Sequence, residues 1–203
     1  MKPILFNTEM VQAILEGRKT VTRRLVKPAP AGDGTKPEEL TITRPGYWNS
    51  FGDDNVYRQP CKPGDILYVR ETWCKDSTRY MYKANYSDAE KFFRGGKEVQ
   101  IKWRPSIHMP KEAARLFLRV TDVRVERLQD MCLIDCLKEG VQLTIAEQGD
   151  LVIQGLRARD RFSGVWDSTI KTAELPIYGW EANPWVWVIE FERCEEPEEE
   201  RYK

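Results

Sequence analysis

The sequence predicts an α+β fold, a small mixed β-barrel with peripheral short helices. Five or six segments carry the alternating or continuous apolar pattern of strands, and short helical segments lie between them. The regular strand–helix–strand alternation of a doubly wound sheet is missing. At 203 residues the chain suffices for one substantial domain, able to bury roughly 70% of its unfolded surface. That domain is expected over residues 1–194, with a loop insertion at about 28–60, a helical elaboration at about 143–180 and an acidic tail at 195–203.

Each element has its own signal. Thr8 reads as an N-cap, Met10, Val11, Ile14 and Leu15 repeat at helical spacing, and Gly17 supplies the stop. Residues 28–64 hold eleven of the 25 Pro and Gly residues, the composition of a long ordered loop of the kind that often forms a lid or binding element. The turn Lys62-Pro63-Gly64-Asp65 feeds an apolar strand at 66–70, and a second strand is expected at 79–84. Residues 114–128 alternate most clearly, with Leu116, Leu118 and Val120 on one face and Arg115, Phe117 and Arg119 on the other. Asp130 is placed to cap a helix through Met131, Ile134, Leu137 and Lys138 that Gly140 ends. A further helix over about 159–172 presents Phe162, Val165, Trp166 and Ile170, and a closing aromatic strand runs over 184–192. The core strands are expected at 66–70, 114–121 and 185–192.

Composition narrows the function classes. The chain is 41% hydrophobic and 32% charged, a globular rather than a disordered profile. No apolar run approaches the ~20 residues needed to span a bilayer, and Met1–Phe6 does not read as a signal peptide, so a cytoplasmic location is expected with no membrane partner. Five scattered cysteines, an odd number, read as reduced thiols. Cys132 and Cys136 share a helix face, but no second pair or nearby histidine completes a metal site, so neither metal nor cofactor is expected. His108 is the only histidine and lies in a proline-bounded loop, where an anchoring role outweighs a catalytic one.

Arg18, Lys19, Arg23, Arg24 and Lys27 fall in ten residues without an acid, whereas the chain as a whole balances 32 Lys and Arg against 32 Asp and Glu. Such a run points to an anionic or strongly polar ligand, with a solvated basic loop as the plain alternative. Part of the charge also complements the dipole of the helix it follows.

The order Gly17-Arg18-Lys19-Thr20-x-Thr22-Arg23, then Lys62-Pro63-Gly64-Asp65-Ile66-Leu67-Tyr68-Val69-Arg70-Glu71-Thr72-Trp73, then a helix ending Lys138-Glu139-Gly140 and an aromatic closing strand, resembles the ASCH domain family of the PUA-like superfamily. The resemblance runs from Ile4 to about Cys194 and is nearest to longer members of the phage and prophage type. It implies a PUA-like mixed barrel and a cleft suited to RNA or a modified nucleoside. Some small members are amidohydrolases that remove the acetyl group of N4-acetylcytidine with a lysine, a threonine and a glutamate. These fall on Lys19, Thr22 and, less directly, Glu139. The chain is about twice as long as those compact enzymes.

Amide hydrolysis needs an activated nucleophile, a proton acceptor and support for the oxyanion. Lys19 serves as base only if its pKa is lowered, which Arg18, Arg23, Arg24 and desolvation would all promote. Thr22 would then attack the acyl carbon while Glu139 protonates the leaving amine or orients Lys19. A variant in which Glu139 activates water and Lys19 supports the oxyanion remains open. In a regular strand Lys19 and Thr22 would face opposite ways, so their convergence requires irregular backbone after Gly17. Ligand contacts are expected from Arg18, Thr20, Arg23, Arg24, Arg70, Tyr82, Trp103 and Arg104. The alternative to catalysis is an RNA-binding module in which these arginines hold phosphates and Tyr68, Trp73, Tyr82 or Trp103 stack on bases. RNA cleavage is a third reading.

Overall fold

The structure, a computed structural model, describes residues 1–27, 40–44, 47–50, 56–76, 79–144 and 150–198. Much of the expected 28–60 insertion (28–39, 45–46 and 51–55), part of the 143–180 elaboration (145–149) and the end of the tail (199–203) lie outside the described residues. The fold is α+β, as expected. By its internal packing the chain divides into two compact, discontinuous units. Residues 1–18, 65–119 and those from Glu192 on form the first, and 19–64 with 120–191 the second.

In the first unit, β1 (Lys2–Leu5) pairs in parallel with β6 (Ile66–Arg70), which pairs antiparallel with the start of β11 (Phe117–Arg127). Helix α1 (Thr8–Leu15) buries Val11, Ala13 and Ile14. Its N-cap is Asn7 and not Thr8, because the Asn7 side chain accepts from the Met10 amide at 2.8 Å. Gly17 ends it at φ 76° in a two-bond stop, with Arg18 N–H on Ala13 O and Gly17 N–H on Ile14 O. Two short hairpins follow, β7 (Trp73–Lys75) with β8 (Tyr80–Tyr82), and β9 (Phe92–Arg94) with β10 (Lys97–Val99). The second turns through Gly95-Gly96, both at positive φ, as a tight hairpin demands. Trp73, Met109 and Ala113 pack together beneath this region.

In the second unit, β2 (Val21–Leu25) pairs antiparallel with β12 (Trp185–Cys194), Val21 opposite Glu190 and Leu25 opposite Val186. Val186 and Val188 join Val21, Leu128, Met131, Cys136, Ala158, Phe162 and Trp166 in one core. The alternate residues Trp187, Ile189 and Phe191 are buried too, so β12 is covered on both faces where alternation alone would bury one. Helix α2 (Leu133–Lys138) starts at Cys132, whose amide donates to Asp135 Oδ2 at 2.9 Å; the expected cap, Asp130, instead ends a short 3-10 turn. Helix α3 (Leu151–Ser168) begins eight residues before the pattern suggests, because Asp150 caps it through the Val152 and Ile153 amides. Trp166, in its apolar stripe, donates its indole N–H to Tyr178 O at 2.9 Å, at the end of α4 (Leu175–Tyr178). Within the stretch read as a loop, β3 (Leu40–Arg44), β4 (Tyr47–Ser50) and β5 (Val56–Arg58) form an antiparallel three-stranded sheet.

The order of the main sheet is β1-β6-β11-β12-β2, so the three expected core strands are its central members. Among the described residues this order has two ends and does not close into a ring of strands. No helix among them is long and apolar enough to cross a membrane.

Candidate active site

Two helix ends in different parts of the sequence set the site. Lys19 follows the Gly17 stop, in irregular backbone before β2 begins, so its side chain escapes the alternation of the strand. Glu139 is the C-cap of α2, and Gly140 repeats the same two-bond stop at φ 96°, with Val141 N–H on Cys136 O and Gly140 N–H on Leu137 O. The Thr20 amide donates to Lys138 O at 2.9 Å, and the Phe191 amide donates to Thr20 O at 2.9 Å, which ties the segment between helix end and strand.

The Lys19 Nζ lies 2.6 Å from Glu139 Oε2, 2.8 Å from Glu139 O and 2.8 Å from Val21 O. Three acceptors use the three N–H bonds of an ammonium, one more than a neutral amine has, so the geometry is that of Lys19⁺ against Glu139⁻. Both side chains are almost wholly buried, at 0% and 4% exposure. Burial draws the Lys19 pKa below the ordinary lysine value, the Glu139 carboxylate opposes that, and the charges of Arg24 and Arg23 add to the lowering. The Lys19 pKa is thus lowered, the direction a lysine base requires, and the irregular backbone after Gly17 brings Lys19 to Glu139.

Arg23 holds the other carboxylate oxygen, its Nη1 3.2 Å from Glu139 Oε1, while its Nη2 meets Glu126 Oε2 at 3.3 Å. Glu126 passes the chain of alternating charge to Arg124, whose Nε is 2.5 Å from Glu126 Oε1 and whose Nη1 reaches Glu190 at 2.6 Å and Asp122 at 3.2 Å. The run around Lys19 that lacks acids in sequence is thus supplied with them in space. Arg23, expected to contact a ligand, is fully buried and committed to carboxylates. Arg124, Glu126 and Asp135, which lies 4.0 Å from Arg23, were not singled out from the sequence. The signal was present in part: Asp122, Arg124 and Glu126 alternate along β11 and so share one face.

Thr22 and Arg24 occupy the face of β2 opposite Val21 and Arg23. Thr22 is buried, and its hydroxyl accepts from Arg24 Nη1 at 2.7 Å. The same guanidinium nitrogen donates to Arg23 O at 2.9 Å. The structure joins Lys19 to Glu139 and Thr22 to Arg24, and it couples the two pairs electrostatically: the Arg24 charge adds to the lowering of Lys19, and the Glu139 carboxylate opposes the lowering that burial imposes on Arg24.

The remaining expected contacts belong to the first unit. Arg18 is paired with Glu16 at 2.6 Å. Arg70 is spent on the carbonyls of Met109, at 2.8 Å, and Ile107, at 2.5 Å. Tyr82 donates to Ala113 O at 2.8 Å and carries the Arg115 guanidinium 4.0 Å over its ring. Trp103 packs against Tyr86 and Phe92, and Arg104 lies 5.3 Å over Trp73. His108 is exposed in a 3-10 turn. No group of three or more His, Cys, Asp or Glu among the described residues could hold a metal ion. Compared with protein-family models, curated proteins and solved structures, the chain matches none.

Proposed function

We propose that the protein is a metal-independent amidohydrolase acting on an N4-acylated cytidine or a related modified nucleoside, on a PUA-like frame to which the main sheet would belong. The observation that supports this most is the buried Lys19–Glu139 pair at 2.6 Å, coupled through the charge of Arg24 to the Thr22 hydroxyl that Arg24 holds at 2.7 Å. In a desolvated site a proton passes from Lys19⁺ to Glu139⁻ at little cost in charge separation, which leaves a neutral amine and a carboxylic acid. With substrate bound, Lys19 exchanges its Val21 carbonyl contact for the Thr22 hydroxyl and takes its proton as Thr22 Oγ bonds to the acyl carbon. Arg24 turns from the hydroxyl to the oxyanion. Collapse breaks the bond to the exocyclic nitrogen, which receives the proton of Glu139, and the ion pair is restored. A second cycle with water in place of Thr22 releases the acid and returns the proton to Thr22 Oγ.

The near-total burial of Lys19, Thr22 and Glu139 favours one other reading, an RNA-binding module in which this network only clamps β2 to α2. Acetate release from N4-acetylcytidine separates the two. In the amidohydrolase, Lys19→Ala and Thr22→Ala each lower kcat by roughly 100-fold or more, as expected on losing a base or nucleophile. Absence of turnover by the native protein, together with RNA binding that survives Lys19→Ala, establishes the module instead.

A further inference from the structure

In the first unit, β7, β8, the β9–β10 hairpin and residues 100–104 enclose a groove of about 390 Å³. Among the described residues that line it are the cations Lys75, Arg79, Lys102 and Arg104 and one acid, Asp76. Several other cations of this unit are paired: Arg115 with Glu71 at 2.8 Å, Lys83 with Asp88 at 2.6 Å and Lys91 with Glu98 at 3.0 Å. Among the described residues none of the four groove cations forms an ion pair; Lys75 and Arg104 lie over the rings of Tyr80 and Trp73 at 5.0 and 5.3 Å. Four positive charges therefore meet on a concave surface with one acid among its described lining residues, where a bound anion would relieve their mutual repulsion.

The same groove has an aromatic wall. Phe92 is held from behind by Tyr86 at 5.0 Å, while Phe93 stands 65% exposed. Phe93 offers a flat apolar face at a cationic groove, the kind of surface on which a base stacks. The volume lies near the small end of the ~300–1,000 Å³ typical of small-ligand sites, too small for a duplex or a folded partner.

We propose that this groove binds a nucleoside phosphate, with the base against Phe93 and the phosphate among Arg79, Lys102 and Arg104. The chemistry is the same for a free nucleotide and for one residue of a single strand: a π-face for stacking and a charge that several cations share. The assignment does not rest on the acyl-cytidine reading, since none of these residues belongs to the Lys19–Glu139 network.

Calorimetric titration of the full chain tests it with adenosine monophosphate, adenosine, inorganic phosphate and a short single-stranded oligonucleotide. The monophosphate should bind at least about tenfold more tightly than adenosine or phosphate alone, because only it engages both halves of the groove. The double variant Arg79→Glu/Lys102→Glu should weaken it by at least about tenfold and flatten its salt dependence. Phe93→Ala should weaken the nucleotide by a similar factor and leave phosphate unchanged. All three side chains are exposed, and melting curves confirm that the variants fold. An oligonucleotide much tighter than the monophosphate assigns the groove to a strand; equal affinity assigns it to the free nucleotide. No binding at millimolar monophosphate, binding indifferent to the double charge reversal, or preference for an acidic peptide overturns the proposal. Binding is measured directly and not through hydrolysis, so this result and the acetate assay can fail separately.

Discussion

Glu139→Gln removes one charge and keeps the shape, so it isolates what the carboxylate does for two buried cations. In the native protein Lys19 meets Oε2 at 2.6 Å and Arg23 meets Oε1 at 3.2 Å. Arg23 retains Glu126 at 3.3 Å after the substitution, but Lys19 is left with two carbonyls and the amide oxygen. Removing one member of a buried pair costs about 3–5 kcal/mol, because the other charge stays behind unpaired. With a urea slope of about 2–3 kcal/mol/M the unfolding midpoint should drop by about 1–2.5 M at pH 7. The deficit should also depend on pH. Lys19 is already held below the usual lysine value of 10.5, so between its folded value and 10.5 the unfolded chain carries more protons than the native one, and stability climbs with pH. Without the carboxylate that opposes the lowering, this window extends to lower pH. The variant should therefore be most deficient near neutrality and recover towards pH 10, gaining about 1.4 kcal/mol for each pH unit crossed in that window. The double variant Lys19→Met/Glu139→Gln should regain at least about half of the loss, since contacting residues couple by about 0.5–3 kcal/mol. A midpoint shift below about 0.3 M in the single variant, or an equal deficit at pH 7 and pH 10, would refute a buried ion pair here.

Three further outcomes follow from the same geometry. Arg24→Ala removes the 2.7 Å contact on the Thr22 hydroxyl, so turnover of an acylated cytidine should fall by roughly 10²–10³ in kcat, with KM much less affected, as for an oxyanion donor. Gly17→Ala meets nothing within 4 Å of the added methyl, so its cost is backbone conformation at φ 76° alone, about 1–2 kcal/mol in denaturant unfolding. Among the thiols, burial pushes Cys136 up to about 11 while Cys132 is exposed, so iodoacetamide at pH 8 should label Cys132 in minutes and Cys136 only at the rate of unfolding, as peptide mass spectrometry would show.

The sequence makes the main strands legible because they are long, apolar and alternate: the 66–70 expectation coincides with β6, and the closing strand differs from β12 only at its ends. Glycine stops are legible for a different reason. A positive φ after a helical run is nearly unique to that residue, and Gly17 and Gly140 both occur where expected. Caps are less so, since Asn7 and Thr8 are both good N-cap types and only the hydrogen bond to Met10 separates them. The short strands β3 to β5 are hidden by the high Pro and Gly content of their surroundings, and β1 by its length of four residues. At the site, the local chemistry of Lys19 can be read, but its electrostatics cannot. The charges that decide it arrive from Glu139, 120 residues away, and Glu126, 103 residues from Arg23, and no local pattern encodes such distances.

The pairing of β2 with β12 has a consequence for synthesis of the chain. Val21–Leu25 leaves the ribosome well before its partner Val186–Glu190, which follows only after roughly 160 more residues, about 8–30 s at ~5–20 residues per second. Throughout that interval the strand that carries Thr22, Arg23 and Arg24 has neither its backbone partner nor, until Glu139 emerges, a carboxylate for the lysine beside it. A nascent chain arrested anywhere before residue 186 therefore exposes an unpaired edge with two arginines on it. The arginines would slow association of that edge with other nascent chains, in the way charged residues guard edge strands in finished proteins. Charge that is buried in the final structure would thus act first as a solubilising group during translation.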